Sequence, residues 1–428
     1  MLIGPATATF LTGHIPGTGG LIKQTPEDFL VDEQPLYELS GAGEHVYLFI
    51  EKRQVTTTDV VARIARAFHV GKGSVGYAGL KDKHAVTRQL FSVHTPKGQF
   101  TDHERSRIEY EKVKVLWHTR HVNKLRTGHH AGNRFVIKVR GVPLSAVVHA
   151  KAALDEMSRR GVPNYVGPQR FGSRGVNHLL GRCLLKGDHR GLLDHMLGGP
   201  RDTDSEPTRL GREAYERGDY DEALRYWPRF LRHERQPLDG LRQRRDPQRV
   251  VAGIDRMQRQ FMISAMQSAV FNDVLARRLA DGTFDRLLPG DLAWKHDSRA
   301  VFAVDEATAE LENGPDGRVQ KHELSPSGPL WGADMTRPGG AVLELERDAL
   351  HAFDLTEADL QGQGDDRATG HRRALREFLR DGEVSAGADE QGPLVRLAFE
   401  LPRGSFATAV LREVMKTDDM EAEHHLSD

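Results

Sequence analysis

The sequence predicts an α+β protein: a mixed, mostly antiparallel sheet carrying helices, and a second region of different character. Three observations point there. Strand-like alternation dominates residues 1–160 and returns at 394–401. From about residue 161 the character changes, and residues 184–258 are rich in Arg, Asp and Gly and mostly helical. The chain has 428 residues, 38% hydrophobic and 28% charged, which is enough for two domains with a very polar surface.

Residues 19–53 read as extended, with Leu21, Lys23 and Thr25 on one face of a strand that Pro26 breaks. PEDFLVDE continues it, and VYLFI at 46–50 is strongly β-prone. Residues 56–68 switch to helical spacing: Val61, Ile64, Ala65 and Phe68 share a face, and Thr57 or Thr58 can cap the start. Residues 71–76 match G-x-G-x-x-G. A dinucleotide site needs a strand before those glycines and a helix after them. Here the order is inverted, so a nicotinamide or flavin site is rejected. The glycines are read as letting the backbone turn tightly around the Asp82 loop.

Residues 89–93, 112–117 and 134–140 read as strands. The last sets Phe135, Ile137 and Val139 against a basic open face of Arg134, Lys138 and Arg140. Residues 146–160 are helical, and Gly161-Val162-Pro163 marks a boundary. Residues 184–258 read as mostly helical. Within them, GREAYERGDYDEALRY (211–226) resembles half a tetratricopeptide repeat, but it occurs once and is read as a local helix pair. Ile263, Met266, Val270 and Val274 place a core helix over 260–279. Short strands are expected at 287–304 and 342–345, an exposed loop at 356–371, a helix at 374–379, a strand at 394–401, a helix at 405–416, and a polar disordered tail after it.

Cys183 is the only cysteine, which excludes an intrachain disulfide and a cysteine-rich zinc site and suits a reducing compartment, with cytoplasm the default. No apolar run is long enough to span a bilayer, and the N-terminus lacks a secretory pattern. The paired histidines at 129–130 and 424–425 lack metal-ligand spacing, so no metal is expected. Eight Lys or Arg and no Asp or Glu lie between residues 112 and 140, together with His118, His121, His129, His130, Trp117 and Phe135. Such a stripe suits a phosphate backbone; a solvated basic face is an equal alternative.

Asp82 sits between Lys81 and Lys83 after Gly76, Tyr77, Ala78 and Gly79. In a generic loop it would be a turn former between solvated charges. In a covered site the same cations would hold it ionised, and it could then act as nucleophile or base.

Four strings resemble the motifs of the TruD family of RNA pseudouridine synthases, in family order over nearly the whole chain: KQTPEDFLV (23–31), GYAGLKDKHAVTRQ (76–89), VPNYVGPQRFG (162–172) and LPRGSFATAVLRE (401–413). The resemblance implies a pseudouridine-synthase-like catalytic domain from residues 1–160 and 378–428. It is interrupted by an inserted α/β TRUD domain at 161–377, whose helical segment around 185–258 compact members lack. It implies conversion of uridine to pseudouridine in tRNA, with uridine 13 of a glutamate-type tRNA the expected target, and no cofactor. Asp82 aligns with the catalytic aspartate, and Lys23 with a lysine expected to pair with it. Phe29, Asn133 and Phe406 align with substrate contacts, and Phe135 is expected to join them. An amide can both donate to and accept from a uracil edge, and rings offer a stacking face. Core packing is the competing reading for the three phenylalanines.

Lys81, Lys83, Lys124, Arg126, Arg134 and Arg170 are candidate RNA contacts. Asn164, Tyr165, Gln169 and Phe171 are read as mainly structural, and Arg242, Arg244 and Arg245 as a solvated cluster. The implied partner is tRNA, with no membrane and no protein partner, and a monomer is expected. The rival reading is a non-catalytic RNA-binding or RNA-folding protein on the same scaffold, which would have no need of an intact Asp82 motif.

Overall fold

The computed structural model describes residues 9–96, 98–362, 364 and 366–417. All of the expected tail beyond residue 417 lies outside them. The chain forms two compact units, one of residues 10–162 and 377–428, the other of residues 1–9 and 163–376.

The first unit is built on eight strands: β1 (Phe29–Pro35), β2 (His45–Arg53), β3 (Val75–Tyr77), β4 (Val86–His94), β5 (Val113–His121), β6 (His130–Arg140), β7 (Arg380–Asp389) and β8 (Gly392–Pro402). Their spatial order is β7-β8-β6-β1-β4-β2-β5, with β3 also on β4. Only β1 and β4 run parallel; the other pairs are antiparallel. Helix α1 (Thr57–Ala67) lays Val60, Val61 and Ile64 in one core cluster with Val46, Leu48, Ile50, Phe91 and Val93. The C-terminal helix Ala407–Met415 belongs to the same unit. There the Glu413 carboxylate accepts from the backbone N–H groups of Leu11 and Thr12, at 3.0 and 2.9 Å.

The pairing of β4 positions the Asp82 loop. β4 gives one edge to β2 along its whole length. Its other edge is shared: β1 takes Val86 to Arg88, and β3 takes Phe91 to Val93. The ladder is therefore split at Gln89 and Leu90. A buried N–H there needs an acceptor from outside the ladder. Glu33 Oε1 supplies it, 3.1 Å from Leu90 N.

In the second unit, helices run from Asn177–Lys186 through Arg256–Ala280. They pack with Trp331, Leu350 and Phe353 in one core that includes Ile263, Met266, Val270 and Val274. Glu206–Glu216 and Tyr220–Tyr226 are the helix pair expected at 211–226. An antiparallel sheet of Leu292–Lys295, Val301–Ala303, Leu324–Leu330 and His371–Ala374 completes the unit. The NYVGPQRFG segment is heavily bonded. Asn164 is buried and donates to the Ala374 carbonyl (2.9 Å), Val166 N donates to Asn272 Oδ1 (2.9 Å), and buried Phe171 meets His178 edge-on.

Several expectations are corrected. Residues 374–379 are extended, not helical. The good helix formers there are overruled by tertiary pairing: Ala374 lies opposite Ser327, while flanking Arg372 and Arg376 are buried and bonded, Arg372 to Glu346 and Arg376 to the Val319 and Leu324 carbonyls. Residues 342–345 lie inside helix Gly340–His351, which buries Val342, Glu346, Ala349 and Leu350 at helical spacing. Pro26–Asp28 is a 3-10 turn, not strand. Lys23 is not on a strand face; its φ of 56° is left-handed. Thr56, not Thr57, caps α1, accepting from Asp59 N at 3.1 Å. Neither Gly76 nor the glycines around it have positive φ. Gly76 is needed for close approach instead, since a Cβ there would sit 2.2 Å from the Leu125 carbonyl oxygen. The loop at 356–371 is anchored by Leu360 and Ala368, each 1% exposed.

Candidate active site

The loop from Ala78 to Ala85 joins β3 to β4 at the split in the sheet, and its backbone is held from several sides. Gly128 N donates to the Ala78 carbonyl (2.7 Å), and Gln89 Nε2 to the Gly79 carbonyl (3.1 Å). Lys81 N donates to Thr57 Oγ1 at 3.0 Å, and Thr57 in turn donates to Gln89 Oε1 at 3.0 Å. Lys52 Nζ donates to the Asp82 carbonyl at 2.8 Å. Thr57 is thus turned inward as a brace for this loop. Leu80, by contrast, points outward and is 71% exposed.

Asp82 carries the reactive-looking group. Its Oδ2 lies 2.7 Å from Lys23 Nζ, and its Oδ1 accepts from His84 N at 3.0 Å. The Lys23 side chain is 10% exposed and that of Asp82 32%. Burial alone would push the Asp82 pKa up. The hydrogen bond and charge of Lys23, helped by the His84 N–H, outweigh burial and hold it below the usual carboxylate range. The carboxylate is therefore ionised and open to one side. Lys23 reaches it from a strained backbone whose flank is fixed: Leu21 pairs with Arg140, and Arg140 donates to both oxygens of buried Asp28 at 2.8 Å.

Lys81 does not face solvent. Its ammonium is 2.8 Å from Glu33 Oε2 and donates to Asn133 Oδ1, with the Lys81 and Glu33 side chains 6% and 1% exposed. Glu33 and Asn133 are opposite each other in the β1–β6 ladder, so Lys81 bridges a cross-strand pair. Phe29 and Phe135 are buried and meet edge-to-face at 6.3 Å; Phe399 extends the cluster, 5.6 Å from Phe135. The Lys23 ammonium lies over the Phe29 ring, 4.9 Å from its centroid. Phe406 is 48% exposed at the entry to the C-terminal helix. Thus Lys23 touches both Asp82 and Phe29, and Lys81, next to Asp82 in the loop, ties Asn133 and Glu33 to it.

The basic stripe does not survive as one face. Alternate strand residues point to opposite sides, and acids from other strands meet the cations. Arg134 lies 3.6 Å from Glu400, Lys138 is 3.2 Å from Asp389, and Arg140 binds both Asp28 and Asp389. Arg120 is spent on the Gly43, Thr95 and Gly98 carbonyls, and Lys124 donates to the Gly73 carbonyl. Lys83 and Arg126 remain exposed. In the other unit, the Arg170 guanidinium stacks over Phe261, 5.0 Å from the ring centroid, and Arg242 pairs with Asp239.

Roles at this site for Lys52, Glu33, Thr57 and Gln89 are not expected from the sequence, where Thr57 reads only as a candidate helix cap and Gln89 as the start of a strand. A signal existed for two of them. Glu33 continues the inward row of Phe29 and Val31, and Lys52 that of Val46, Leu48 and Ile50. A charged residue on an apolar row of a strand is the observation that would have found them. Among the described residues, no cluster of three His, Cys, Asp or Glu is placed to hold a metal, and no helix is long and apolar enough to cross a membrane.

The family model for tRNA pseudouridine synthase D (TruD) matches residues 7–414. A tRNA pseudouridine synthase D of Geobacter sulfurreducens is 45% identical over 408 residues, covering 95% of this chain and 96% of the relative. One from an Anaeromyxobacter species is 38% identical, covering 96% of each. Among solved structures, a crystal structure described as TruD from Methanosarcina mazei superposes with a TM-score of 0.83 at 27% identity, covering 96% of both chains.

Proposed function

Because the chain belongs to the tRNA pseudouridine synthase D family, and is by that membership an isomerase that turns uridine into pseudouridine, we propose that Asp82 is its catalytic carboxylate, with uridine 13 of a glutamate tRNA as target. The observation that carries the assignment of Asp82 is its half-exposed carboxylate, 2.7 Å from the Lys23 ammonium on a loop braced from four sides. The reaction breaks the N1–C1′ bond, turns the uracil and joins C5 to C1′; C5 gives up its proton and N1 gains one, with no net gain or loss of electrons. An ionised carboxylate serves it in either of two ways. It can attack C1′, forming a glycosyl ester as the bonding pair leaves on uracil N1, or it can take the 2′ proton and leave a glycal. In both, negative charge passes from Asp82 to the departing base, and the Lys23 ammonium remains beside it as counter-charge.

The sheet unit, residues 10–162 and 377–428, is assigned the chemistry, and residues 163–376 the role of an inserted RNA-binding domain. Asn133, its Oδ1 engaged by Lys81, presents an amide donor to a uracil carbonyl. Phe406 is the exposed ring on which an extruded base stacks. Phe29 and Phe135 act from beneath, Phe29 by backing Lys23. Lys83, Arg126 and Arg170 are the proposed backbone contacts; Lys81, Arg134 and Lys124 act within the protein. The protein is read as a cytoplasmic monomer.

The test compares wild type with Asp82→Asn on uridine-containing tRNA transcripts, mapping pseudouridine by chemical adduct and primer stop and measuring RNA affinity alongside. A stop at one uridine with wild type, and none with the variant at equal affinity, is expected. Pseudouridine from both proteins would overturn the role of Asp82. A 2′-deuterium effect on the wild-type rate separates proton removal from attack at C1′.

A further inference from the structure

Lys52 has no part in the chemistry described so far, yet it is the most anomalous side chain near Asp82. It is a lysine with 0% exposure, at the end of the apolar row of β2. Lysine is almost never fully buried unless paired. Its one hydrogen bond within the described residues runs to a neutral acceptor, the Asp82 main-chain carbonyl, at 2.8 Å. The charges that bear on it are Asp82 and Lys81 from the loop and Asp59 from α1; its ladder neighbours, Thr87 and Val113, are neutral. An ammonium with three donors and one neutral partner in the protein interior costs stability. A residue kept for packing alone would be apolar at this position.

Resting on the reading of Asp82 as the catalytic carboxylate, we infer that Lys52 is a positioning residue for it. From inside the sheet its ammonium grips the main chain of the reactive aspartate and places a second positive charge behind the carboxylate while RNA covers the front. Lys23 holds the side chain and Lys52 holds the backbone, so the carboxylate is fixed at both ends. The negative charge that moves from Asp82 to uracil during the reaction then stays between two cations in a site from which RNA has displaced water.

Burial lowers the Lys52 pKa to about 8, with Asp82 and Asp59 opposing the fall and Lys81 adding to it. Above that pH a neutral amine still donates its hydrogen bond, but the charge is gone. The group is depressed from its unfolded value, so the unfolded chain binds more protons between the two values. Stability from this group therefore rises with pH there, while the proposed catalytic contribution falls. Opposite trends in stability and rate distinguish positioning from packing.

The experiment uses the full chain and Lys52→Met, measuring the single-turnover rate at saturating tRNA transcript, RNA affinity, unfolding temperature and the pH–rate profile. The variant is expected to lose at least about tenfold in rate, with RNA affinity unchanged and unfolding temperature no lower. The wild-type rate is expected to fall above about pH 8, and the variant to lack that limb. A wild-type rate in the variant, or a rate loss matched by lost affinity, overturns the proposal. Should the variant not fold, a wild-type profile that stays flat through the Lys52 range overturns it, and a falling limb there upholds it. Asp82→Asn run beside it separates the two readings: full activity in that variant defeats the assignment of Asp82, whereas an inactive Asp82→Asn with a fully active Lys52→Met defeats only the role of Lys52.

Discussion

Replacing Lys23 with Met removes the ammonium 2.7 Å from Asp82 Oδ2 and keeps the length of the side chain. At that separation the bare attraction is on the order of 6 kcal/mol for an effective dielectric constant of about 20. Desolvation of the two ions takes back most of it, because the lysine is nearly covered. What remains is the net value of a charge-assisted hydrogen bond, about 1.5–3 kcal/mol. The sign of its pH dependence follows from the opposing causes. In wild type, Asp82 lies below its unfolded pKa because Lys23 and the His84 N–H outweigh burial. It therefore stabilises the fold above the unfolded value near 3.9, and that contribution is lost as pH falls through the folded value.

Burial is already the largest single influence on Asp82, and without Lys23 most of what opposes it is gone, so the carboxyl is pushed up. The group then weakens the fold at neutral pH and ceases to do so on acidification. Hydrogen exchange of the β4 amides should show the variant less protected than wild type at about pH 7, with the gap closing toward about pH 3. The acid limb of the single-turnover rate should move to higher pH, since Asp82 must be ionised to act. Unchanged protection at neutral pH together with an unmoved acid limb would refute the argument.

Three further outcomes follow from the geometry. Glu33→Ala strips the buried Lys81 ammonium of its partner and Leu90 N–H of its acceptor, and should cost about 3–5 kcal/mol in urea unfolding of the sheet unit; Glu33→Gln, which keeps an acceptor, should cost less. Gly76→Ala would place a Cβ 2.2 Å from the Leu125 carbonyl and 2.6 Å from Ser92 Oγ, in a spot fixed by the Leu125 N–Ser92 Oγ bond of 2.9 Å. It should lower stability by about 1–3 kcal/mol, read as a reduced unfolding temperature. In the other unit, Arg372 and Glu346 form an ion pair that is 3% and 1% exposed. Arg372→Met alone should cost about 3–5 kcal/mol in calorimetry, whereas adding Glu346→Leu should restore most of it.

The sequence by itself determined the elements whose signal is periodic and local. The alternation at 134–140 and 394–401 is that of β6 and β8, which lie side by side through Ile137↔Leu397 and Phe135↔Phe399. The spacing of Ile263, Met266, Val270 and Val274 is that of the long buried helix. Four motifs in order identified the family, and one of them contained Asp82. Periodicity tells which way a side chain points but not what it meets. Whether Lys81 reaches RNA or Glu33 depends on β1 and β6 lying together, and only tertiary structure brings them there. The same holds for the C-terminal end of the basic stripe, where Arg134, Lys138 and Arg140 meet Glu383, Glu400 and Asp389 from strands that follow by more than two hundred residues. At 374–379 local propensity favoured a helix, and the bonds of Ala374 and Leu375 to 326–327 keep the start of that stretch extended. Lys23 looked like a strand-face lysine; its left-handed backbone, which no propensity favours, is what the fold imposes to bring its ammonium to Asp82.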